Sequence, residues 1–227
     1  MTGSPLLNAF HQSNAALLTY TVGGDPNKET SLEIFREIAQ SGADIIECGL
    51  GHGANIGDGG AIQDGTYRAL SNGIKTDDVF DIIKTLRDEF DTNVIIMTYQ
   101  NKIMSYGEDS FLSKCVESKV AGIICVDWPW PLNLNFAAKC KKNNIDFIQL
   151  LCPTTNEERL KLILNDAHDV VYYISMLSTT GQKLKVSPTE IKDRFNLIKT
   201  IAPKKKCIIG FGITEETIAD FKDTDAC

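Results

Sequence analysis

Seven apolar runs of strand length alternate with stretches of helical periodicity along this sequence, and this alternation narrows the possible folds. The runs lack the polar and apolar alternation of a half-exposed sheet, so both faces are expected to be buried under helices, as in a parallel sheet. The sequence therefore predicts one α/β domain over residues 1–227. The apolar runs are 15–22, 43–50, 94–98, 121–126, 145–151, 170–175 and 207–210.

A doubly wound open sheet and an eight-fold β/α barrel both satisfy this pattern. Seven near-even units favour the barrel, because an open sheet rarely needs so many. In either fold the functional groups lie at the carboxyl ends of the strands. Several chemically informative residues fall at those ends: Glu47, Tyr99, Asp127, Tyr172, Thr180 and the turn Gly210-Phe211-Gly212.

The overall composition excludes several classes of protein. The net charge of −7 argues against a nucleic-acid or anionic-membrane surface, each of which requires a basic stripe. No apolar run approaches the roughly 20 residues of a membrane span, and no secretory leader is recognisable. The seven cysteines form no C-x-x-C pair and the three histidines are scattered. We therefore expect free buried thiols, no metal site and a cytoplasmic location.

The strand run 43–50 carries a single carboxylate, Glu47, and the following loop supplies a second, Asp58. A lone charge in a buried strand costs several kcal/mol unless it is paired. One interpretation is a buried ion pair, with Asp58 as a loop cap. In the other, the apolar surroundings raise the pKa of Glu47 and suit it to general acid–base catalysis.

The loop after this strand is rich in glycine. Residues 49–54 match the dinucleotide pattern G-x-G-x-x-[GA], which requires a helix to begin at once so that its N-terminus meets the pyrophosphate. Three further glycines, at 57, 59 and 60, disfavour that helix. A mobile loop is the better interpretation.

Two other features leave alternatives open. The turns at 179–181 and 210–214 are either simple turns or a phosphate site, which eight-fold barrels often carry after their last strands. Trp128 and Trp130 flank Pro129 and serve either core packing or a partner surface.

Seven motifs occur in order along the chain: 24–26 (Gly-Asp-Pro), 42–49 (Gly-Ala-Asp-Ile-Ile-Glu-Cys-Gly), 58–63 (Asp-Gly-Gly-Ala-Ile-Gln), 97–101 (Met-Thr-Tyr-Gln-Asn), 172–175 (Tyr-Tyr-Ile-Ser), 180–181 (Thr-Gly) and 210–213 (Gly-Phe-Gly-Ile). With these motifs, the chain resembles the tryptophan synthase alpha subunit over essentially its whole length. The resemblance implies a (β/α)8 TIM barrel that cleaves indole-3-glycerol phosphate to indole and glyceraldehyde 3-phosphate in tryptophan biosynthesis. It further implies no cofactor in this chain and a pyridoxal-phosphate-dependent beta subunit as partner in an α2β2 heterotetramer.

The resemblance also assigns roles to individual residues. It implies that Glu47 is the general acid–base and that Asp58 holds the indole N–H. It implies that Thr180 bonds to Asp58 on loop closure and that Tyr172 positions Glu47. The remaining substrate-binding residues it implies are Tyr20, Met97 and Tyr99 around the indole, and the backbone N–H groups of Gly181, Phe211 and Gly212 around the phosphate.

The sequence departs from the family pattern in four places. The loop 51–60 lacks the family's prolines, Met176 replaces an arginine, and the partner-facing stretch 127–132 is altered. The alternation also reaches residue 227 without an eighth apolar run, so we expect a C-terminally short barrel that lacks its eighth β/α unit and exposes two sheet edges. These departures keep a rival hypothesis open, that of an impaired or inactive alpha-like subunit acting only as a partner of a beta subunit. A gene continuing past residue 227 would favour the enzyme.

Overall fold

The computed structural model describes residues 4–11, 14–175, 187–210 and 213–227. The strands are β1 (Leu18–Val22), β2 (Ile45–Gly49), β3 (Asn93–Thr98), β4 (Gly122–Cys125), β5 (Asp146–Phe147), β6 (Gln149–Leu151), β7 (Val170–Ile174) and β8 (Lys206–Gly210). The α-helices are α1 (Lys28–Gln40), α2 (Gly60–Ser71), α3 (Thr76–Glu89), α4 (Gln100–Tyr106), α5 (Glu108–Glu117), α6 (Leu134–Lys142), α7 (Glu157–Asp166) and α8 (Pro188–Ile201). Two 3-10 helices occupy Pro5–Ala9 and Ile218–Phe221.

Every strand pair is parallel, and the strands follow one another in chain order. Five strands, β1 to β5, form one sheet and β6 to β8 form a second. Only Ile148 separates β5 from β6, and its N–H donates to the Ile123 carbonyl at 2.9 Å. One extended segment therefore passes from the first sheet into the second, and the predicted α/β barrel architecture is confirmed.

The sequence predicts two exposed sheet edges, at the first and last strands, but residues 225–227 partly fill the space between β8 and β1. Ala226 makes single parallel bridges to Ala16 on one side and to Ile208 on the other. The backbone N–H of Leu18 also donates to the Cys227 carbonyl at 2.9 Å. Residues 225–227 thus lie between the first and last strands at the amino-terminal end, joined to them by isolated bridges.

The core has two layers. Helices pack on the outside of the sheets through fully buried side chains such as Phe35, Phe80 and Phe111. Inside the barrel, Leu6 of the first 3-10 helix shares a buried cluster with Ile45, Ile95 and Val170, which lie in the first halves of their strands. The amino-terminal end is therefore filled, which leaves the carboxyl end as the place for a site.

Capping patterns in the sequence predict helix starts at Thr76, at Thr155 with Glu158, and at Ser187 with Glu190. The structure agrees with the last of these and differs by one residue at the other two. Ser187 and Glu190 form the predicted capping box of α8. At α7 the cap is Asn156 rather than the predicted Thr155, because the Asn156 side chain accepts the N–H of Arg159. At α3 the cap is Lys75 rather than Thr76, since the Asp78 side chain accepts the Lys75 N–H at 3.0 Å.

Other predictions about the ends and side chains had mixed outcomes. The sequence predicts a last helix that begins at Thr214 and carries Ile218 and Phe221. This prediction is wrong, because the structure has only the short 3-10 helix there. The seven cysteines are free thiols, as predicted, and all but Cys152 are buried. Within the described ranges, no helix is both long and apolar enough to cross a membrane.

Candidate active site

Glu47 lies in the middle of β2 and faces the barrel interior. In the parallel ladder it is opposite Tyr20 of β1 and Ile95 of β3, and only 5% of its surface is exposed. Across the residues that the structure describes, no lysine, arginine or histidine forms an ion pair with it. Burial, reinforced by the negative charge of Asp58, raises the pKa of Glu47 to about 8. The buried-ion-pair interpretation is therefore not supported.

Asp58 lies at the end of the loop that leads into α2, and it too is buried. The Tyr99 hydroxyl donates to its Oδ1 at 3.1 Å, and Gln63 Nε2 donates to its backbone carbonyl at 2.8 Å. Burial raises the pKa of Asp58, while the nearby Asn55 amide and the Tyr99 hydroxyl oppose the rise by stabilising the charge. The loop carboxylate is thus held by a strand-end tyrosine rather than by a cation.

Two further tyrosines reach the same region because glycines make room for them. A Cβ on Gly49 would lie 2.2 Å from the Tyr20 hydroxyl oxygen, and one on Gly210 would lie 1.7 Å from that of Tyr172. Neither glycine could become alanine without moving its tyrosine. Burial raises the pKa of both phenols, Asp58 and Glu47 adding to the rise at Tyr20 and Glu47 at Tyr172, so both remain neutral hydrogen-bond donors.

Met97, on β3, completes the apolar part of the site. It is buried in the cluster inside the barrel that also contains Ile124, Ile148 and Tyr172. The structure therefore brings together six of the predicted site residues, from β1, β2, β3 and β7 and from the segments that follow β2 and β3: Tyr20, Glu47, Asp58, Met97, Tyr99 and Tyr172. The other four, Thr180, Gly181, Phe211 and Gly212, lie outside the described residues.

The glycine-rich segment after β2 is a loop and not a helix, as predicted. The next helix, α2, begins only at Gly60, so no helix N-terminus follows the G-x-G-x-x-[GA] pattern. The dinucleotide interpretation therefore fails on geometry. The described residues also contain no group of three or more histidine, cysteine or acidic side chains arranged to hold a metal ion.

The two tryptophans have separate roles. Trp128 is buried, stacks on Phe136 at 5.1 Å between ring centroids, and belongs to the core. Trp130 is half-buried, donates to Asp166 at 2.9 Å, and lies under the Arg159 guanidinium at 5.2 Å. Between them is a cavity of about 310 Å³.

Sequence reasoning missed the contact between Tyr99 and Asp58. The sequence places Tyr99 at the end of a strand, and the family resemblance implies only that its side chain lines the indole site. Its hydroxyl also accepts the Gly57 N–H at 3.0 Å, so it contacts the loop twice. The sequence feature that could have indicated this contact is a tyrosine directly after one apolar strand, since the preceding strand is followed by a loop that ends in a carboxylate.

This arrangement can do acid–base chemistry at neutral pH. A carboxyl group with a pKa of about 8 can both donate and accept a proton. A second carboxylate nearby can stabilise positive charge as it develops, and neutral phenols can orient a ligand. The site therefore suits a reaction that passes through a cation in an aromatic or polar ligand.

Comparisons with known proteins agree on one family. The family model described as tryptophan synthase alpha chain matches residues 6–225. The tryptophan synthase alpha chain of Pelagibacter ubique is 52% identical over 215 residues, covering 94% of this chain and 81% of that protein. That of Petrotoga mobilis is 34% identical over 219 residues, covering 94% and 82%.

Solved structures give the same result. A structure of the tryptophan synthase a2b2 complex from Pyrococcus furiosus matches with a TM-score of 0.82 and 30% identity, covering all of this chain and 86% of that one. Mycobacterium tuberculosis tryptophan synthase matches with a TM-score of 0.86, covering 96% and 84%, and at 24% identity it supports the fold.

Proposed function

The chain belongs to the tryptophan synthase alpha chain family, and on that premise we propose that Glu47 and Asp58 carry out the family's reaction here. The protein is a lyase of tryptophan biosynthesis that cleaves indole-3-glycerol phosphate to indole and glyceraldehyde 3-phosphate. One observation carries the proposed roles: Glu47 is buried without an ion pair in the described structure, and its pKa is raised to about 8 beside a second carboxylate.

Glu47 acts first as an acid and then as a base. Its carboxyl group donates a proton to C3 of the indole ring, which leaves a positive charge on the ring. The resulting carboxylate then removes the proton from the hydroxyl on the glycerol carbon bonded to C3. The bond between that carbon and C3 breaks, its electron pair neutralises the ring, and the carbon becomes the aldehyde of glyceraldehyde 3-phosphate.

Asp58 accepts a hydrogen bond from the indole N–H. Its negative charge stabilises the cation that forms when C3 is protonated, and it interacts more strongly with that cation than with neutral indole. The Tyr99 hydroxyl, 3.1 Å from Oδ1, fixes the carboxylate in place. Asp58 therefore lowers the barrier by electrostatics and transfers no proton.

The other predicted residues bind and orient the substrate. Tyr20, Met97 and Tyr99 surround the indole, and Tyr172, buried close to Glu47, orients that carboxyl group. We place the phosphate at the turns after β7 and β8, where Gly181, Phe211 and Gly212 would donate backbone N–H groups and Thr180 would bond to Asp58. The support is positional, since β7 and β8 end on the same side of the barrel as β2.

The partner is a tryptophan synthase beta subunit in an α2β2 heterotetramer, the assembly of the Pyrococcus furiosus complex. We propose that this chain holds no cofactor, because proton transfers alone balance its reaction, and that pyridoxal phosphate belongs to the beta subunit. We also propose a cytoplasmic location. Neither the described structure nor the comparisons favour the rival hypothesis of an inactive subunit that only binds a partner.

The test is indole release from indole-3-glycerol phosphate by the purified chain and by Glu47→Gln, each with and without a beta subunit. We expect release by the wild-type chain, stimulation by the beta subunit, and loss in Glu47→Gln. A folded wild-type chain that releases no indole under either condition would contradict the proposed function. Equal rates for both chains would contradict the role of Glu47.

A further inference from the structure

We infer that His52 is a positioning residue that anchors the active-site loop to Tyr99 and thereby holds Asp58 in place. The loop in question is the segment 51–59, between β2 and α2. The inference rests on the proposed function for its effect on catalysis. The anchoring itself is a property of the ligand-free protein and is measured separately.

The imidazole of His52 makes contacts on two sides. Its Nδ1 accepts the backbone N–H of Ala54 at 3.0 Å, which closes a short turn within the loop. Its ring packs on the ring of Tyr99, with centroids 5.6 Å apart and planes inclined by 32°. Nε2, which carries the proton of the neutral ring when Nδ1 accepts, lies 3.4 Å from the side-chain amide of Asn101. One side chain thus shapes the loop and attaches it to the barrel.

The other end of the loop attaches to the same tyrosine. The Tyr99 hydroxyl accepts the Gly57 N–H at 3.0 Å and donates to Asp58 Oδ1 at 3.1 Å. The fit is close, because a Cβ on Gly57 would lie 3.2 Å from that hydroxyl oxygen and 3.1 Å from Cγ1 of Val126. The loop therefore contacts Tyr99 at two points, through His52 at the ring and through Asp58 at the hydroxyl.

The composition of the loop explains why such an anchor matters. Residues 51–59 contain four glycines and no proline, so the unrestrained backbone has much conformational freedom to lose. Contacts must supply the order that the backbone does not. Without His52, the loop would retain the Tyr99 hydroxyl contacts but would lose the turn at Ala54 and the packing on the ring.

Three substitutions separate the two contacts of His52. His52→Ala removes both the ring and the acceptor. His52→Asn keeps a side-chain oxygen that can accept the Ala54 N–H, as in an Asx turn, while His52→Phe keeps the ring without the acceptor. His11→Ala is the matched control, because it removes a histidine that pairs with Asp44, which precedes β2 at the end opposite the loop.

Two readouts are measured for each variant. Amide hydrogen exchange at Ala54 and Gly57 in the ligand-free protein reports the anchor, and kcat with KM for indole release reports its effect on Asp58. For His52→Ala we expect exchange to rise about tenfold and kcat to fall about tenfold, with KM changed about twofold at most, since losing a hydrogen bond and its packing has effects of this size. His52→Asn and His52→Phe should each recover part of both, and His11→Ala should change neither.

The outcomes divide cleanly. Unchanged exchange in His52→Ala overturns the anchor, whatever happens to kcat. Raised exchange with unchanged kcat overturns the positioning role. A wild-type chain that releases no indole refutes the proposed function, and in that case exchange at Ala54 and Gly57 still decides whether His52 anchors the loop.

Discussion

The two carboxylates of the site are held by two different regions of the molecule. Glu47 is on β2, which has hydrogen-bonded parallel strands on both sides. Asp58 is on a glycine-rich loop, and the side chains that hold it come from Tyr99 and Gln63. The strand fixes its carboxylate through backbone pairing on both sides, whereas the loop carboxylate depends on contacts from those two side chains.

This difference matches two chemical tasks. A group that transfers protons must lie within hydrogen-bond distance of the reacting atom and have a suitable pKa, and a buried strand provides both. A group that only stabilises charge tolerates more variation in distance. We therefore expect substitution of the strand carboxylate to reduce activity more than substitution of the loop carboxylate.

The largest expected effect is on catalysis. Glu47→Gln keeps the shape of the side chain but cannot transfer a proton, and we expect kcat to fall about 10³- to 10⁴-fold. Asp58→Asn keeps a hydrogen-bond acceptor but loses the charge, and we expect a fall of about 10²-fold. Steady-state indole release measures both. Equal losses of kcat in the two variants would contradict the distinction between a strand carboxylate that transfers protons and a loop carboxylate that only stabilises charge.

The second expected effect is on stability as a function of pH. Because burial raises the pKa of Glu47 from 4.5 to about 8, the folded protein keeps a proton that the unfolded chain releases above pH 4.5. The retained proton stabilises the folded protein relative to the unfolded chain. This stabilisation is complete below pH 4.5 and is lost as the pH rises through about 8. Glu47→Gln lacks it.

Urea unfolding of both chains between pH 5 and pH 9 measures this difference. Relative to wild type, Glu47→Gln should gain stability over that range by on the order of 4 kcal/mol. The wild-type chain and Glu47→Gln share all other titrating groups, so their difference isolates Glu47. Parallel profiles would mean that Glu47 is ionised at neutral pH in the folded protein.

The smallest expected effect compares a strand glycine with a loop glycine. Gly210→Ala places a Cβ 1.7 Å from the Tyr172 hydroxyl oxygen, and we expect it to destabilise the protein by about 1–3 kcal/mol. Gly53→Ala meets nothing within 4 Å and needs no left-handed backbone, so it should change stability by about 0.5 kcal/mol at most. Denaturation midpoints compare them, and similar losses would show that the loop is as tightly packed as the strand.

Much of the fold could be predicted because its information is local. The apolar strands and the helical stripes alternate along the sequence, and the capping box at Ser187 and Glu190 is a pattern of adjacent residues. The caps at Asn156 and Lys75 were missed by one residue, because several neighbouring polar side chains could each cap those helices. The bridging position of Ala226 depends on strands distant in sequence, so no local pattern indicates it.

The site divides in the same way. Glu47 could be recognised because a charge interrupts an apolar strand, and its neighbours in sequence already indicate a raised pKa. The contact from Tyr99 to Asp58 spans 41 residues and depends on the path of the loop. The role of His52 depends on the same loop path, since the sequence places it among glycines that indicate only a flexible backbone.

The central claim is that Glu47 is a neutral carboxyl group at physiological pH, ready to donate a proton. The most direct test is to titrate it in the ligand-free protein, following its carboxyl carbon by NMR with Glu47→Gln to assign the signal. We predict a midpoint near pH 8, where the structure places its pKa. A midpoint near 4.5, the ordinary value for glutamate, would contradict the proposed mechanism.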